Sequence, residues 1–448
     1  MRSLHEALRL KPDYAEARGH QIELLLLSSR YREAVDASRE GLSYSPGSAD
    51  LYCQLAVALE HRHHMEEARD AAEKALAIAP NHARASLMLA KLDRRAGELE
   101  RARDRLQSTL KIKLPPSPYA QVAAELGDTL DRMGDFSAAY QAFETGNQAM
   151  AGTITPAQAA RGSVFEQINR HRAWFSAVST RGWADARPRT DTPSPMFLVG
   201  FPRSGTTLTE QVFASLDRIV ASDEQPVLGR LISELPTLLQ RPFCYPENLD
   251  DLSGHELAKL RARYWQLVDG MIGPVGSDQR LLDKLPLNLI DLGMICRLFP
   301  DARIVVVLRD PRDACLSCFM QPFRLNQSMV NFLSLQQSAI FYAAVMDLWL
   351  HYRSVLDLQY MEVRYEDLVA DFETQARRLV DFSGEPWDDT ILRYFEHARK
   401  RDVKTPSYSA ITSPVYSRAM GRWRNYETRL QPVVQVLEPY LRTFGYLE

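Results

Sequence analysis

The stretch MFLVGFPRSGTTLTEQVFASLDRIVASDE, residues 196–224, decides how the second half of this chain folds. It opens on an apolar run, Met196-Phe197-Leu198-Val199, that reads as a buried strand. The chain turns at Gly200-Phe201-Pro202 and enters a helix whose apolar positions Leu208, Val212, Phe213 and Leu216 share one face. Between strand and helix stands Gly200-x-x-x-x-Gly205-Thr206-Thr207, the spacing of a phosphate-binding loop. Glycines there let backbone N–H groups approach an anion, and the helix dipole adds partial positive charge.

One position says what kind of loop this is. A nucleoside-triphosphatase loop carries Lys after its second Gly, to neutralise the β/γ-phosphates, and then Ser or Thr for Mg²⁺. Here Thr206 holds the Lys position, and the cation is Arg203, inside the loop. The loop is equipped for an anion but not for Mg-ATP. The motif GFPRSGTT resembles the 5′-phosphosulfate loop of the sulfotransferase family, whose donor is 3′-phosphoadenosine 5′-phosphosulfate. The resemblance implies that Arg203, Ser204, Gly205, Thr206 and Thr207 bind that donor, with no metal.

At 448 residues the chain is long enough for two or three domains. Its 45% apolar and 25% charged residues are those of an ordinary soluble protein, and a net charge of −3 argues against nucleic acid as the main partner. No apolar run approaches the ~18 residues of a membrane span. The first residues, MRSLHEALRLKPDY, are charged throughout and hold no signal-peptide core. Five scattered cysteines do not make a disulfide framework. Cys315-x-x-Cys318 has no second Cys pair, so both residues are expected to pack at the start of a helix rather than bind metal.

Residues 1–150 repeat. Pro12, Pro46 and Pro80 are 34 apart, as are Ala34, Ala68 and Ala102, and Leu8, Leu42, Leu76 and Leu110. PDYAEA, PGSADL and PNHARA open three units in the same way, and a fourth, from about Pro118, is looser. That period, with a proline after each second helix and small residues where helices cross, reads as tetratricopeptide repeats stacked into an α-solenoid. The chain begins in the second helix of a repeat. A protein partner on the concave face is one expectation, a structural or dimerising role the other. His61, His63 and His64 read as a helix end and turn, since their spacing closes no coordination shell.

Residues 151–194 read as one amphipathic helix followed by a Pro- and Arg-rich linker, RGWADARPRTDTPSP. Residues 195–448 then read as an α/β domain with a central parallel sheet. Strands are expected at 196–199, 218–222, 281–282, 302–308 and 360–363, and helices over 227–239, 255–271, 289–299 and 332–350. ARIVVVL, residues 302–308, is the clearest: consecutive β-branched residues buried on both faces. Ligands in such sheets bind beyond the carboxyl ends of strands. Asp223-Glu224, Asp283-Lys284 and Arg309-Asp310-Pro311-Arg312-Asp313 all follow strands there.

The family resemblance covers residues 196–448 and is specific in two motifs. Arg309 with Ser317, eight residues on, matches its 3′-phosphate motif. Tyr365 opens YEDL, where the family keeps a tyrosine near the adenine or phosphate. Protein-tyrosine sulfotransferases and bacterial repeat-bearing relatives are similar in placing a Glu base after the second strand, which implies Glu224, with Asp223 as the alternative. Lys284, in a Lys-x-Pro setting, matches the family's catalytic lysine. Weaker correspondences in the tail imply Ser407 as a hydroxyl on the sulfonate and Arg422 as a phosphate ligand. The tail KTPSYSAITSPVYSRAMGRWRNY looks like the segment that closes over the nucleotide. One departure stands out: a further Arg twelve residues after the 3′ motif's Arg is Gln321 here, with Arg324 nearby. The family's disulfides are absent too, which fits a reducing, cytoplasmic setting.

Sulfuryl transfer needs alignment of attacking oxygen, sulfur and leaving oxygen, removal of the acceptor's proton, and donors where negative charge grows. The implied activity is transfer from 3′-phosphoadenosine 5′-phosphosulfate to a hydroxyl of a peptide tyrosine, a saccharide or a small molecule. The alternatives are a P-loop kinase, which the missing Lys disfavours, a non-catalytic repeat scaffold with a nucleotide-sensing domain, and a repeat-fused glycosyltransferase.

Overall fold

A computed structural model describes residues 2–28, 30–159, 161–176, 180, 183, 194–396 and 419–447. The chain divides into two units, Met1–Thr155 with Phe319–Leu325, and Pro156–Cys318 with Asn326–Glu448.

The first unit is all helix. Its elements are α1 (Arg2–Leu10), α2 (Ala15–Leu27), α3 (Tyr31–Tyr44), α4 (Ala49–His61), α5 (Met65–Ile78), α6 (Ala83–Ala96), α7 (Leu99–Leu110), α8 (Pro116–Met133) and α9 (Phe136–Ala151). The starts of α2, α4 and α6 carry the 34-residue period directly. Ser48 caps α4, its hydroxyl accepting from Leu51 N at 3.3 Å, and Asp135 caps α9, accepting from Ala138 N at 3.0 Å. Gly97 and Gly134 end α6 and α8 in the left-handed conformation, where a side chain would be strained. Ala34, Ala68 and Ala102 are fully buried, as small residues at helix crossings should be. At Gly127 the fit is tighter still: a Cβ there would stand 2.6 Å from the Phe143 ring.

The second unit is built on five parallel strands: β1 (Met196–Gly200), β2 (Ile219–Ala221), β3 (Arg280–Lys284), β4 (Arg303–Leu308) and β5 (Gln359–Arg364). Their order is β2-β3-β1-β4-β5, so β1 lies at the centre. Both faces are covered, which is why β1 and β4 read as unbroken apolar runs. Met196, Leu198, Leu282, Val305 and Val307 share one core with Leu208, Val212 and Phe213 of the helix Thr206–Ala214. Among the described residues no helix is long and apolar enough to cross a membrane.

Two helices depart from expectation. The one expected over 289–299 is a 3₁₀ segment, Pro286–Asp291, followed by a short α-helix, Leu292–Leu298. Pro286 opens the turn early, and the Ile290 carbonyl is claimed by the Tyr352 hydroxyl at 2.8 Å and lies 2.9 Å from His171 Nδ1. The long helix expected from Phe332 begins at Leu335 and runs to Val355, because the Ser334 hydroxyl caps it, accepting from Gln337 N at 3.2 Å.

Replacing Gly127 by Ala should drive a methyl into the Phe143 ring and cost about 1–3 kcal/mol. Gly19→Ala, on α2 with nothing within 4 Å of its Cβ, should gain up to about 1 kcal/mol. Urea unfolding followed by helical circular dichroism checks both; equal effects would contradict the packing described.

Candidate active site

The β1–β4 pairing brings the first two motifs together. The strands run parallel, with Gly200 opposite Val307, so both loops leave the same edge of the sheet. Gly200 is obligatory: with φ at +156° its Cβ would meet the Val307 carbonyl oxygen at 2.5 Å. Arg203 adopts φ of +67°, an uncommon conformation for a side-chain-bearing residue. Its Nε donates to the Ser317 hydroxyl at 3.1 Å, and its carbonyl accepts from Arg309 Nη1 at 2.8 Å. Ser204 is buried, and its hydroxyl turns back to donate to the Phe201 carbonyl at 2.5 Å. Gly205 caps the helix Thr206–Ala214 at φ of +106°, and a Cβ there would lie 2.4 Å from the Tyr365 ring. Thr206 and Thr207, both buried, form the first turn of that helix.

Arg309 follows β4 and is buried. It stacks over Tyr365, with its Cζ 5.0 Å from the ring centroid, and Nη2 donates to the Ala419 carbonyl at 2.5 Å. Its Nε is buried with no hydrogen-bond partner among the described residues. A buried guanidinium N–H left unmatched beside a glycine-lined turn fits an anionic group. Asp313, fully buried, fixes the approach of the C-terminal segment. It accepts from Gly421 N at 2.7 Å and Trp423 N at 2.8 Å, and burial pushes its carboxyl up to about 6. Arg422, between these two anchored residues, opens the 3₁₀ segment Arg422–Tyr426. Ser407 lies outside the described residues.

The carboxylates form the second half of the site. β3 ends in Lys284, completely buried, whose Nζ lies 2.8 Å from Glu224 Oε1. Lys284 N donates to the Ser222 hydroxyl at 2.8 Å, which ties the ends of β2 and β3. Asp223 and Glu224 both adopt left-handed backbone, with φ of +49° and +61°. Two such residues in succession store strain of the kind that marks functional turns. The sequence reading missed a third member. Glu210, on the helix after the loop, is completely buried, with Oε2 3.0 Å from Lys284 Nζ. Burial pushes Glu210 up to about 7, against the pull of Lys284 and with the push of Asp223 and Glu224. Desolvation drives the Lys284 ammonium down, but the two carboxylates outweigh it and hold its pKa above the ordinary lysine value. The available signal was a lone Glu within a helix flanked by Leu208, Val212 and Phe213: a charge buried there needs a cation.

Cys315 and Cys318 are buried on the helix Pro311–Met320, as the packing reading expected. Among the described residues, no group of three or more His, Cys, Asp and Glu could hold a metal ion.

Residues 195–389 match the family described as Sulfotransferase family, and residues 63–126 match Tetratricopeptide repeat. An uncharacterized protein of Aquifex aeolicus (strain VF5) is 30% identical over 252 residues, 54% of this chain and 32% of that one. Protein-tyrosine sulfotransferase A of Caenorhabditis elegans is 25% identical over 260 residues, 56% of this chain and 67% of that one. Protein-tyrosine sulfotransferase of Drosophila melanogaster is 26% identical over 250 residues, 51% of this chain and 46% of that one. The chain thus spans about a third of the Aquifex protein and less than half of the Drosophila one. Among solved structures, the sulfotransferase domain from the curacin biosynthetic pathway aligns with 56% of this chain and 99% of its own, at 18% identity and a TM-score of 0.35. The sulfotransferase-family match thus falls on the α/β unit, and the tetratricopeptide-repeat match lies before it in the chain.

Asp283 supplies a pH test of the buried strand end. It is completely buried, accepts from the Tyr264 hydroxyl at 2.6 Å, and burial pushes it up to about 7 from an ordinary 3.8. The folded chain therefore keeps a proton that the unfolded chain gives up, and this contribution to stability is lost as pH rises towards 7. Asp283→Asn keeps an acceptor for Tyr264 and removes the titration. Its melting temperature relative to wild type should rise from pH 4 to 7 and level off above; a constant difference would refute the buried-acid assignment.

Proposed function

We propose that this chain transfers a sulfuryl group from 3′-phosphoadenosine 5′-phosphosulfate to an acceptor hydroxyl, in line and without a covalent enzyme intermediate. One observation carries the reading: Arg203 reaches Ser317 while Arg309 reaches the Arg203 carbonyl, so the two anion-binding motifs are contiguous. A donor anionic at both ends of its nucleotide suits such a pair. Arg203, Ser204, Gly205, Thr206 and Thr207 hold the 5′ end, with backbone N–H groups of the helix start. Arg309 and Ser317 hold the 3′-phosphate. Tyr365 packs beside both, and Arg422 adds a cation from the C-terminal segment.

Glu224 removes the acceptor's proton, and Asp223 at the same strand end is the alternative. Lys284, at the end of β3, donates to the oxygen that gathers charge as the S–O bond to the donor phosphate breaks. Ser407 is proposed as a further hydroxyl on the sulfonate. The acceptor is a peptide tyrosine, a saccharide or a small phenol or alcohol. Relatives named as protein-tyrosine sulfotransferases favour the peptide. In this reading residues 1–150 are the recognition solenoid, 151–194 a helix and linker, and 195–448 the transferase domain. Five free cysteines suit a reducing, cytoplasmic setting.

Adenosine 3′,5′-bisphosphate should raise the melting temperature without Mg²⁺, and Mg-ATP should not. Stabilisation by Mg-ATP alone would favour the kinase. Glu224→Gln should lower sulfuryl transfer, scored on phenols, sugars and tyrosine peptides, by about 10²–10⁴-fold while the bisphosphate Kd stays unchanged. Undiminished transfer by that variant would remove Glu224 as the base.

A further inference from the structure

Lys284 is completely buried, and its immediate counter-charges are Glu224 on one side and Glu210 on the other. Glu224 and Glu210 differ in access. The Glu224 side chain is 32% exposed and open to an acceptor, whereas Glu210 is sealed from solvent. Glu210 Oε2 lies 3.0 Å from the Lys284 ammonium, and Oε1 is buried with no hydrogen-bond partner among the described residues. On the reading above, Glu224 becomes a neutral acid once in every turnover. The bond between acceptor oxygen and sulfur forms, the S–O bond to the donor phosphate breaks with its electron pair, and the acceptor's proton passes to Glu224. At that moment a lysine whose sole carboxylate was Glu224 would be a buried cation without a counter-ion. That state is disfavoured by desolvation and promotes loss of the lysine's proton.

We propose that Glu210 is a positioning residue: from the sealed side it holds the Lys284 ammonium in place and in its charged form while Glu224 alternates between carboxylate and acid. The inference rests on the assignment of Glu224 and Lys284 as the working pair. The bookkeeping of charge supports it. With both carboxylates ionised the trio carries −1; once Glu224 takes the proton it is neutral, as Glu210 then balances Lys284. The groups that face Glu210 are Lys284 from β3 and Asp223 and Glu224 from the turn after β2. The two acids hold its carboxyl up. Neutralising Glu224 removes one of them, so Glu210 ionises more readily at the step where its charge is wanted. Its place on the helix Thr206–Ala214, which starts at the phosphate loop, fixes Lys284 relative to the donor's 5′ end.

The test uses the full chain and six variants: Glu210→Gln, Glu210→Ala, Glu224→Gln, Lys284→Met, the Glu210→Gln/Glu224→Gln double variant, and that double variant with Lys284→Met added. Glu224→Gln mimics the protonated base. The double variant should melt lower than the sum of the two single effects, and adding Lys284→Met should recover most of the loss. Additive singles, or no recovery with Met, would overturn the proposal whether or not an acceptor is in hand. In transfer assays Glu210→Gln should lower kcat by about tenfold to a hundredfold, the range for losing a supporting group, with the bisphosphate Kd within about twofold. Its pH–kcat profile should also lose the part of its shape that Glu210 ionisation supplies. Glu210→Ala should fall at least as far. Wild-type kcat in both Glu210 variants would overturn the proposal. Lys284→Met alone with wild-type turnover would instead overturn the underlying assignment of the pair, while the melting data would still report on Glu210.

Discussion

The pairing of β1 with β4 is the constraint from which the site follows. Parallel neighbours lie about 4.8 Å apart and send their following loops off one edge. With Gly200 set against Val307, the loop at Arg203 and the one at Arg309 leave side by side, although 106 residues separate them. The absence of a Cβ at Gly200 lets the backbone of the turn pass over the Val307 carbonyl. A shift of one residue would move every inward side chain of β1 to the other face and part the two arginines. Tyr365, the first residue of the helix that follows β5, then closes against both Gly205 and Arg309.

Much of this was legible in the sequence, for reasons that can be named. The 34-residue period was visible because each helical pair must bury one side against the next, so the same small and apolar positions recur. The α2, α4 and α6 starts at 15, 49 and 83 follow it without slippage. The strands at 196–200 and 303–308 were visible because burial on both faces leaves no polar alternation. The anion loop was visible because few residue types satisfy its geometry. Helix boundaries were less so. The break at Asp291 depends on the Ile290 carbonyl being taken by Tyr352 and His171, residues distant in sequence.

Glu210 and Asp313 show where reading by pattern runs out. Periodicity treats a charged residue as solvent-facing, and on a helix as short as Thr206–Ala214 one Glu does not alter the count. Only the fold brings Lys284 to it. Asp313 reads as an ordinary acidic residue in a helix's first turn, yet its oxygens are spent on the backbone of Gly421 and Trp423, more than a hundred residues on. In both cases the function of the side chain is set by a partner that local sequence does not contain.

Arg203, Asp223 and Glu224 have a common cost. Each holds a left-handed backbone that glycine or asparagine would adopt with less strain. Selection for heat resistance alone would therefore pull these positions towards glycine and erode the loop cation and the acids at β2. Selection for turnover pulls the other way. An engineer seeking a hardier variant would do better to leave these two turns strained and to recover the free energy among the solenoid helices.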